Sequence, residues 1–304
     1  MSINRNIQAR AVLITGTSMG IGAACAKHMD KLGFQVFARV RKQADGEVLR
    51  RNSAGRITPM LIDITDTDSI AGAAHAVTNL IGHQGLAGLV NNAGIIIEGP
   101  LELVSIELLR RQFEVNVFGQ IAVTQAFLPL LRLGGGRIVN LGAATGRVAV
   151  PMLGAIASSK AALESMTDVL RMELRPWNIP VSIIEPGAMQ TTIFQKSGRI
   201  ADQMMQNLHP SVSGLYAEAM VAVRKSLTSS KPSSPEVVVT AIAEALTAKR
   251  PKTRYLAGSD ARILTALRFL PDRLRDNLLL GQMGLSKIPT AQRTTTRNTL
   301  TTGW

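Results

Sequence analysis

Cysteine occurs once, at Cys25, so no internal disulfide can form, and thiol redox chemistry is not expected of a lone small side chain inside an alanine-rich helical stretch. Aromatic residues make up 4% of the chain, and no finger or RNA-recognition motif accompanies its basic residues. The formal charge of +13 therefore does not imply nucleic acid as a partner: the arginines and lysines are scattered, and most read as a solvated face. No apolar run approaches the roughly eighteen residues of a membrane span, and residues 1–10 lack the apolar centre of a signal peptide. A cytoplasmic protein is expected. No repeat period is present either, and no metal site is expected.

What is present is enough apolar material for a large core, 46% of 304 residues, laid out as short buried strands alternating with helical patterns. The organising stretch is residues 11–22. Val12, Leu13 and Ile14 read as a buried parallel strand, followed by a turn with Gly16, Gly20 and Gly22 and then a helical pattern. Glycine lets backbone approach a phosphate closely, and the new helix offers free N–H groups and its positive dipole end. Further strands are expected at 35–38, 57–62, 86–90, 137–141, 181–184 and 254–257. Helices are expected at 69–81, 101–131, 154–175 and 236–249, with one basic amphipathic helix at 260–280.

Three further motifs follow in order: Asn91-Asn92-Ala93-Gly94 after the fourth strand, Ala157-Ser158-Ser159-Lys160 in a helix, and Pro186-Gly187 with Thr191 after the sixth strand. Together with Thr15-Gly16-x3-Gly20-Ile21-Gly22 they resemble the classical short-chain dehydrogenase/reductase family over residues 8–285. The resemblance implies a single Rossmann-type, doubly wound parallel sheet of about seven strands with helices on both faces. It implies one domain over residues 1–288, including a substrate lid at 188–230, followed by a flexible tail at 289–304. Cofactor contacts are implied at Gly16, Ser18, Met19, Gly20, Ile21 and Gly22, at Arg41 and Lys42 after strand two, and at Asp63 and Ile64 after strand three. They are implied again at Asn91, Ala93, Gly94, Lys160, Pro186, Gly187, Met189 and Thr191. Asp63 matches the acid that binds the adenine amino group, whereas Asp66 suits a helix cap. Val40 falls where NAD-preferring members carry Asp, and Arg41 where NADP-preferring members carry Arg, whose fork suits a 2′-phosphate. NADP(H) is thus expected over NAD(H).

The catalytic pattern departs from the family. The resemblance places a tyrosine four residues before Lys160 and a serine thirteen residues before that tyrosine, but this chain has Ile156 and Ala143. Neither can move a proton. Asn116, which in the family bends its helix and holds a water near the lysine, and Lys160 remain from the tetrad. No slip of register restores the rest: Thr145 is a nearby hydroxyl, and neither Tyr216 nor Tyr255 is followed by a lysine four residues on.

Two functions stand at this point. One is an NAD(P)(H)-dependent oxidoreductase acting on an alcohol or ketone, lipophilic by likeness to the retinol and hydroxysteroid branch. The other is a catalytically impaired protein, natural or engineered, that binds cofactor or scaffolds. The lid is expected to wall the pocket with Met204, Met205, Leu208, Leu215 and Tyr216. The segment at 260–280 is expected to cover the pocket or a neighbouring subunit rather than a membrane. Apolar residues beyond one stripe on the two long helices, among them Val117, Phe118, Ile121, Val123, Met166 and Val169, imply a homodimer or homotetramer.

Overall fold

The computed structural model describes residues 10–229 and 232–288. The expected tail and part of the linker at 231–235 lie outside them. From the N-terminus come β1 (Ala11–Ile14), α1 (Gly20–Lys31), β2 (Gln35–Val40), α2 (Gln43–Arg51), β3 (Ile57–Leu61), α3 (Thr67–Ile81) and β4 (Gly88–Asn91). Then follow α4 (Ile106–Phe113), α5 (Gly119–Gly134), β5 (Arg137–Leu141), α6 (Gly154–Glu173), β6 (Val181–Pro186), α7 (Ile193–Gln206), α8 (Pro210–Ser213) and α9 (Ala217–Ser229). The chain continues through α10 (Glu236–Thr247), β7 (Arg254–Ala257), α11 (Ser259–Ala266) and α12 (Asp272–Gln282).

The strands form one seven-stranded parallel sheet in the order β3-β2-β1-β4-β5-β6-β7. The order reverses between β1 and β4, and the crevice beyond the carboxyl ends of strands there is where such sheets bind ligands. Strand alternation divides the core. Val12, Ile14, Val36 and Val139 face α1 and α10, whereas Leu13, Phe37, Leu89 and Ile138 face α3 and α5. Burial on both faces explains why the strands are nearly continuous apolar runs.

Some elements differ from their sequence signals. β2 runs two residues further than expected because Val40 still packs inward, and α2 follows where none was expected. The helix expected at 101–131 begins instead at Ile106 and runs to Gly134, with a local change of pitch inside it. α4 and α5 are joined by a π-helical turn, Glu114–Phe118, at whose centre Asn116 is fully buried. Its Oδ1 accepts from the Ile95 N–H at 2.9 Å and its Nδ2 donates to the Ile95 carbonyl at 3.0 Å. Those bonds repay the burial of the amide and hold the turn against the loop after β4. Gly119 makes a second approach possible, to the segment after β3, since a Cβ there would lie 2.6 Å from the Ile64 carbonyl oxygen.

The stretch Ile106–Gly134 also has the length and composition to cross a membrane, with a mean hydropathy of 1.3 over its most apolar window, contrary to the sequence expectation. In this fold it is a core helix: Val123, Phe127, Leu130 and Leu131 are buried beside the sheet. The expected helix at 260–280 is interrupted by a 3-10 turn, Leu267–Phe269, and by Pro271, which cannot donate into a continuing helix and instead opens α12.

Candidate active site

The glycine loop is fastened to the switch point by polar groups. The Thr15 hydroxyl accepts from the N–H groups of Asn92 (2.9 Å) and Ala93 (3.0 Å), and the Asn92 amide donates to the carbonyls of Thr15 and Gly16. α1 starts without any side-chain cap and without an acid in its first turn, so its first N–H groups remain available to an anion. The loop tolerates no side chain at Gly22, where a Cβ would stand 2.1 Å from the Gly16 carbonyl oxygen. Gly16 and Gly20 adopt φ of +71° and +57°, the left-handed region that favours glycine. This is a cradle shaped for a pyrophosphate.

Above it opens a cavity of about 1290 Å³, larger than the several hundred Å³ of an ordinary small-molecule pocket and enough for a dinucleotide with a second ligand. Its wall includes Gly16, Ser18, Met19, Gly20, Ile21, Gly22, Arg41, Lys42, Asp63, Ile64, Ala93 and Gly94. It also includes Lys160, Pro186, Gly187, Met189 and Thr191. Of the cofactor contacts expected from sequence, only Asn91 stands apart. Its amide lies in the sheet interior, Nδ2 donating to the Thr124 hydroxyl and to the side-chain Oδ1 of Asn140, both at 2.9 Å. The neighbouring Asn92, which sequence reasoning passed over, lines the cavity instead.

At the end of β2, Arg41 and Lys42 are exposed at the cavity rim, while Arg39 is buried and its Nε donates to the Ile62 carbonyl at 2.6 Å. Burial lowers Arg39 to about 10. Asp63 accepts from the N–H and hydroxyl of Thr65 at 2.9 and 2.7 Å, and these bonds hold its carboxyl below the ordinary value. Asp66 is the cap of α3, accepting from the N–H groups of Asp68 and Ser69. The carboxylate of Asp260 accepts from the Ala188 N–H at 2.5 Å and tethers the loop after β6 to the start of α11.

Lys160 projects from α6 into this cavity. Its Nζ donates to the Leu141 carbonyl at 2.5 Å, and burial pushes its ammonium down to about 8. The cradle, the basic rim and this buried lysine fit a nicotinamide dinucleotide by the chemistry of their donors. Asn116 is linked to the same helix through the Ser159 hydroxyl, to which its Nδ2 donates at 3.3 Å. Asn116 is not itself in the cavity wall.

Ala143 and Ile156 both line the cavity beside Lys160, as does Thr145. Ile156 is buried among Ile96, Val150, Leu153, Val223 and Met283, an apolar wall that leaves hydrocarbon at the tyrosine position. Neither tyrosine compensates. The Tyr216 hydroxyl donates to Glu102 at 2.5 Å, and that of Tyr255 accepts from the Lys252 N–H at 3.0 Å.

The lid residues expected as pocket walls are elsewhere. Met204 packs beside Ile97 and Val104, and Leu215 is exposed. The wall is made instead by Ile193, Phe194, Ile200, Leu227, Leu264 and Leu279 from α7, α9, α11 and α12. Their helical stripes resemble ordinary core packing in sequence, so nothing local marked them.

A family model of short chain dehydrogenases matches residues 10–201. Bovine (Bos taurus) 17-beta-hydroxysteroid dehydrogenase type 6 is 36% identical over 283 residues, covering 90% of this chain and 89% of that protein. Retinol dehydrogenase 7 of Mus musculus is 33% identical over 90% of this chain and 89% of its own length. Among solved structures, a short-chain dehydrogenase from Streptomyces avermitilis superimposes with a TM-score of 0.74 at 29% identity, covering 92% of this chain and 97% of that one.

Proposed function

The chain belongs to the short-chain dehydrogenase family of nicotinamide-dependent oxidoreductases, and from that premise we propose that it binds NADP(H) in preference to NAD(H) and holds a lipophilic alcohol or ketone beside it. The observation that carries this reading is the single cavity in which the glycine cradle, Lys160 and an apolar wall meet. The steroid and retinol substrates named for its relatives agree with that wall.

When bound, the nicotinamide ring donates or accepts the hydride. This chain's own groups bind and orient. The cradle and the start of α1 would hold phosphate, Arg41 and Lys42 would meet a 2′-phosphate, and Lys160 would hydrogen-bond a ribose. The apolar wall excludes water from the carbonyl or carbinol.

Proton delivery is the weak step. In the family the tyrosine donates the proton and the serine orients the oxygen, and here Ile156 and Ala143 do neither. Loss of general acid–base help costs about 10² to 10⁴ in rate. We therefore propose intact cofactor binding with slow turnover, in a dimer or tetramer.

The test is NADPH oxidation against a panel of apolar ketones by the chain as written, by Ile156→Tyr, by Ala143→Ser and by the double variant. Ile156→Tyr should raise the rate more than Ala143→Ser, because moving the proton matters more than orienting the oxygen. Turnover by the unaltered chain at about 1 to 10³ per second would mean that another group carries the proton.

A further inference from the structure

The backbone of the loop after β6 is held by segments distant in the chain. The Gly187 N–H donates to the Ala257 carbonyl at 3.0 Å, the Ala188 N–H to Oδ2 of Asp260 at 2.5 Å, and the Gln190 N–H to the Ser233 carbonyl at 3.0 Å. The Ser233 N–H in turn donates to the Ala188 carbonyl at 2.9 Å, and the Thr191 N–H to the Met189 carbonyl at 2.8 Å. Among the N–H groups of residues 187–191, only that of Met189 has no hydrogen-bond partner among the described residues. Met189 is buried, and a buried N–H is normally paired.

The direction of this free donor is set by its neighbours. In a trans peptide unit the carbonyl and the N–H point opposite ways, so the linker that takes the Ala188 carbonyl turns the Met189 N–H away from itself. Met189 lines the cavity together with Gly187 and Thr191, and a ligand there is the partner the donor lacks.

Asp260 fixes the other end of residue 188, and it does so at a cost. Its carboxylate occupies the space that side chains at 187 and 258 would fill: a Cβ on Gly187 would lie 2.1 Å from Oδ2, and one on Gly258 would lie 2.6 Å from Oδ1. Oδ1 is buried without a hydrogen-bond partner among the described residues. A tether serving stability alone gains nothing from burying half a carboxylate unpaired, and such costs are retained where position matters more than stability.

We propose that Asp260, with the Ser233 N–H opposite it, is a positioning residue for the nicotinamide end of the cofactor. Held between them, residue 188 presents the Met189 N–H to the carboxamide. This rests on the proposed function, which supplies the nicotinamide; the tether and the free donor are features of the loop itself.

The experiment is calorimetric titration of the full chain with NADPH and with 2′-phospho-ADP-ribose, the same nucleotide without its nicotinamide. Asp260→Ala should weaken NADPH about fivefold to tenfold, the worth of one hydrogen bond, and leave 2′-phospho-ADP-ribose within about twofold. Asp260→Asn should restore NADPH affinity, because its amide oxygen can accept from the same Ala188 N–H. Ser233→Pro, which lacks the donor that holds the Ala188 carbonyl, should repeat the selective loss. Equal weakening of both ligands by Asp260→Ala would reveal a merely structural role and overturn the proposal, as would unchanged NADPH affinity in Asp260→Ala or Ser233→Pro. Asp260→Asn binding as weakly as Asp260→Ala would assign the effect to charge instead of the tether, and overturns it too. Should the unaltered chain bind neither ligand, the proposed function falls and this inference with it, whereas a failure of the selectivity alone leaves the proposed function standing.

Discussion

At the end of β2, Val40 and Arg41 both bear on the proposed preference for NADP(H). Val40 is buried and leaves no acid to accept the 2′-hydroxyl of NAD, while Arg41 is exposed at the rim with Lys42 beside it. A charge-assisted hydrogen bond to phosphate contributes about 1.5–3 kcal/mol, a preference of roughly ten- to a hundredfold. Fluorescence titration should therefore show NADPH binding tighter than NADH by about that factor, and Arg41→Ala should bring the two together. Equal affinities in the unaltered protein would sink the idea. Sequence shows this pair because strand end and side chain are adjacent in the chain. It misplaces Asn91 for a related reason. In Asn91-Asn92 the motif fixes the turn, but alternation decides which amide enters the sheet and which reaches the glycine loop, and a strand end one residue later than expected exchanges the two.

Several elements are pinned to one another by a charge cluster that no local pattern reveals, since its members span residues 147 to 254. Arg254 on β7 reaches Glu185 on β6 and Asp168 on α6, both at 2.5 Å, and Glu164 on α6 at 3.3 Å. Arg147, after β5, lies 3.5 Å from Glu164 and 3.6 Å from Glu185. Three acids share two guanidiniums. Burial first, and the Glu185 charge second, raise Glu164 from its ordinary 4.5 to about 7. The folded protein then holds this proton more tightly than the unfolded chain does. Its stabilising contribution is fully present below about pH 4.5 and is lost as pH rises through about 7. Lys160 works oppositely: its contribution is present above its ordinary 10.5 and is lost as pH falls through about 8. The readout is thus the difference between the unaltered protein and Glu164→Gln. Between about pH 5.5 and about pH 7.5 the unaltered protein should lose thermal midpoint relative to the variant. Parallel midpoints across that window would show that Glu164 does not titrate there.

At the scale of the whole molecule, the sheet order, the switch-point cavity and the lysine follow from four short motifs, because each motif is a local turn whose geometry sets a strand end. Which lid residues wall the cavity does not follow, since that depends on contacts between distant segments, and the bend at Asn116 follows from the family resemblance alone. The same distinction governs assembly. Of the apolar residues that implied self-association, Val117 and Val123 are buried within the fold and contribute nothing outside it. Phe118 and Val169 remain exposed, joined by Ile106 and Met172, and α4 packs against α6, so these residues lie on neighbouring elements. Ile106, Leu109, Phe113 and Phe118 also line a groove of about 460 Å³. A face of this kind on each copy is self-complementary under two-fold symmetry, because a protruding ring from one can fill the groove of the other. A stable interface needs about 800 Å² from each partner, within reach of two packed helices. Sedimentation velocity at about micromolar concentration should therefore show a dimer or tetramer, the range in which such interfaces hold. Phe118→Glu with Met172→Glu should give monomers, because the introduced carboxylates would be buried without partners. The monomers should still bind NADPH, since neither residue lines the cavity. A monomer for the unaltered chain would overturn the assignment, and unchanged assembly in the double variant would move the interface to another face.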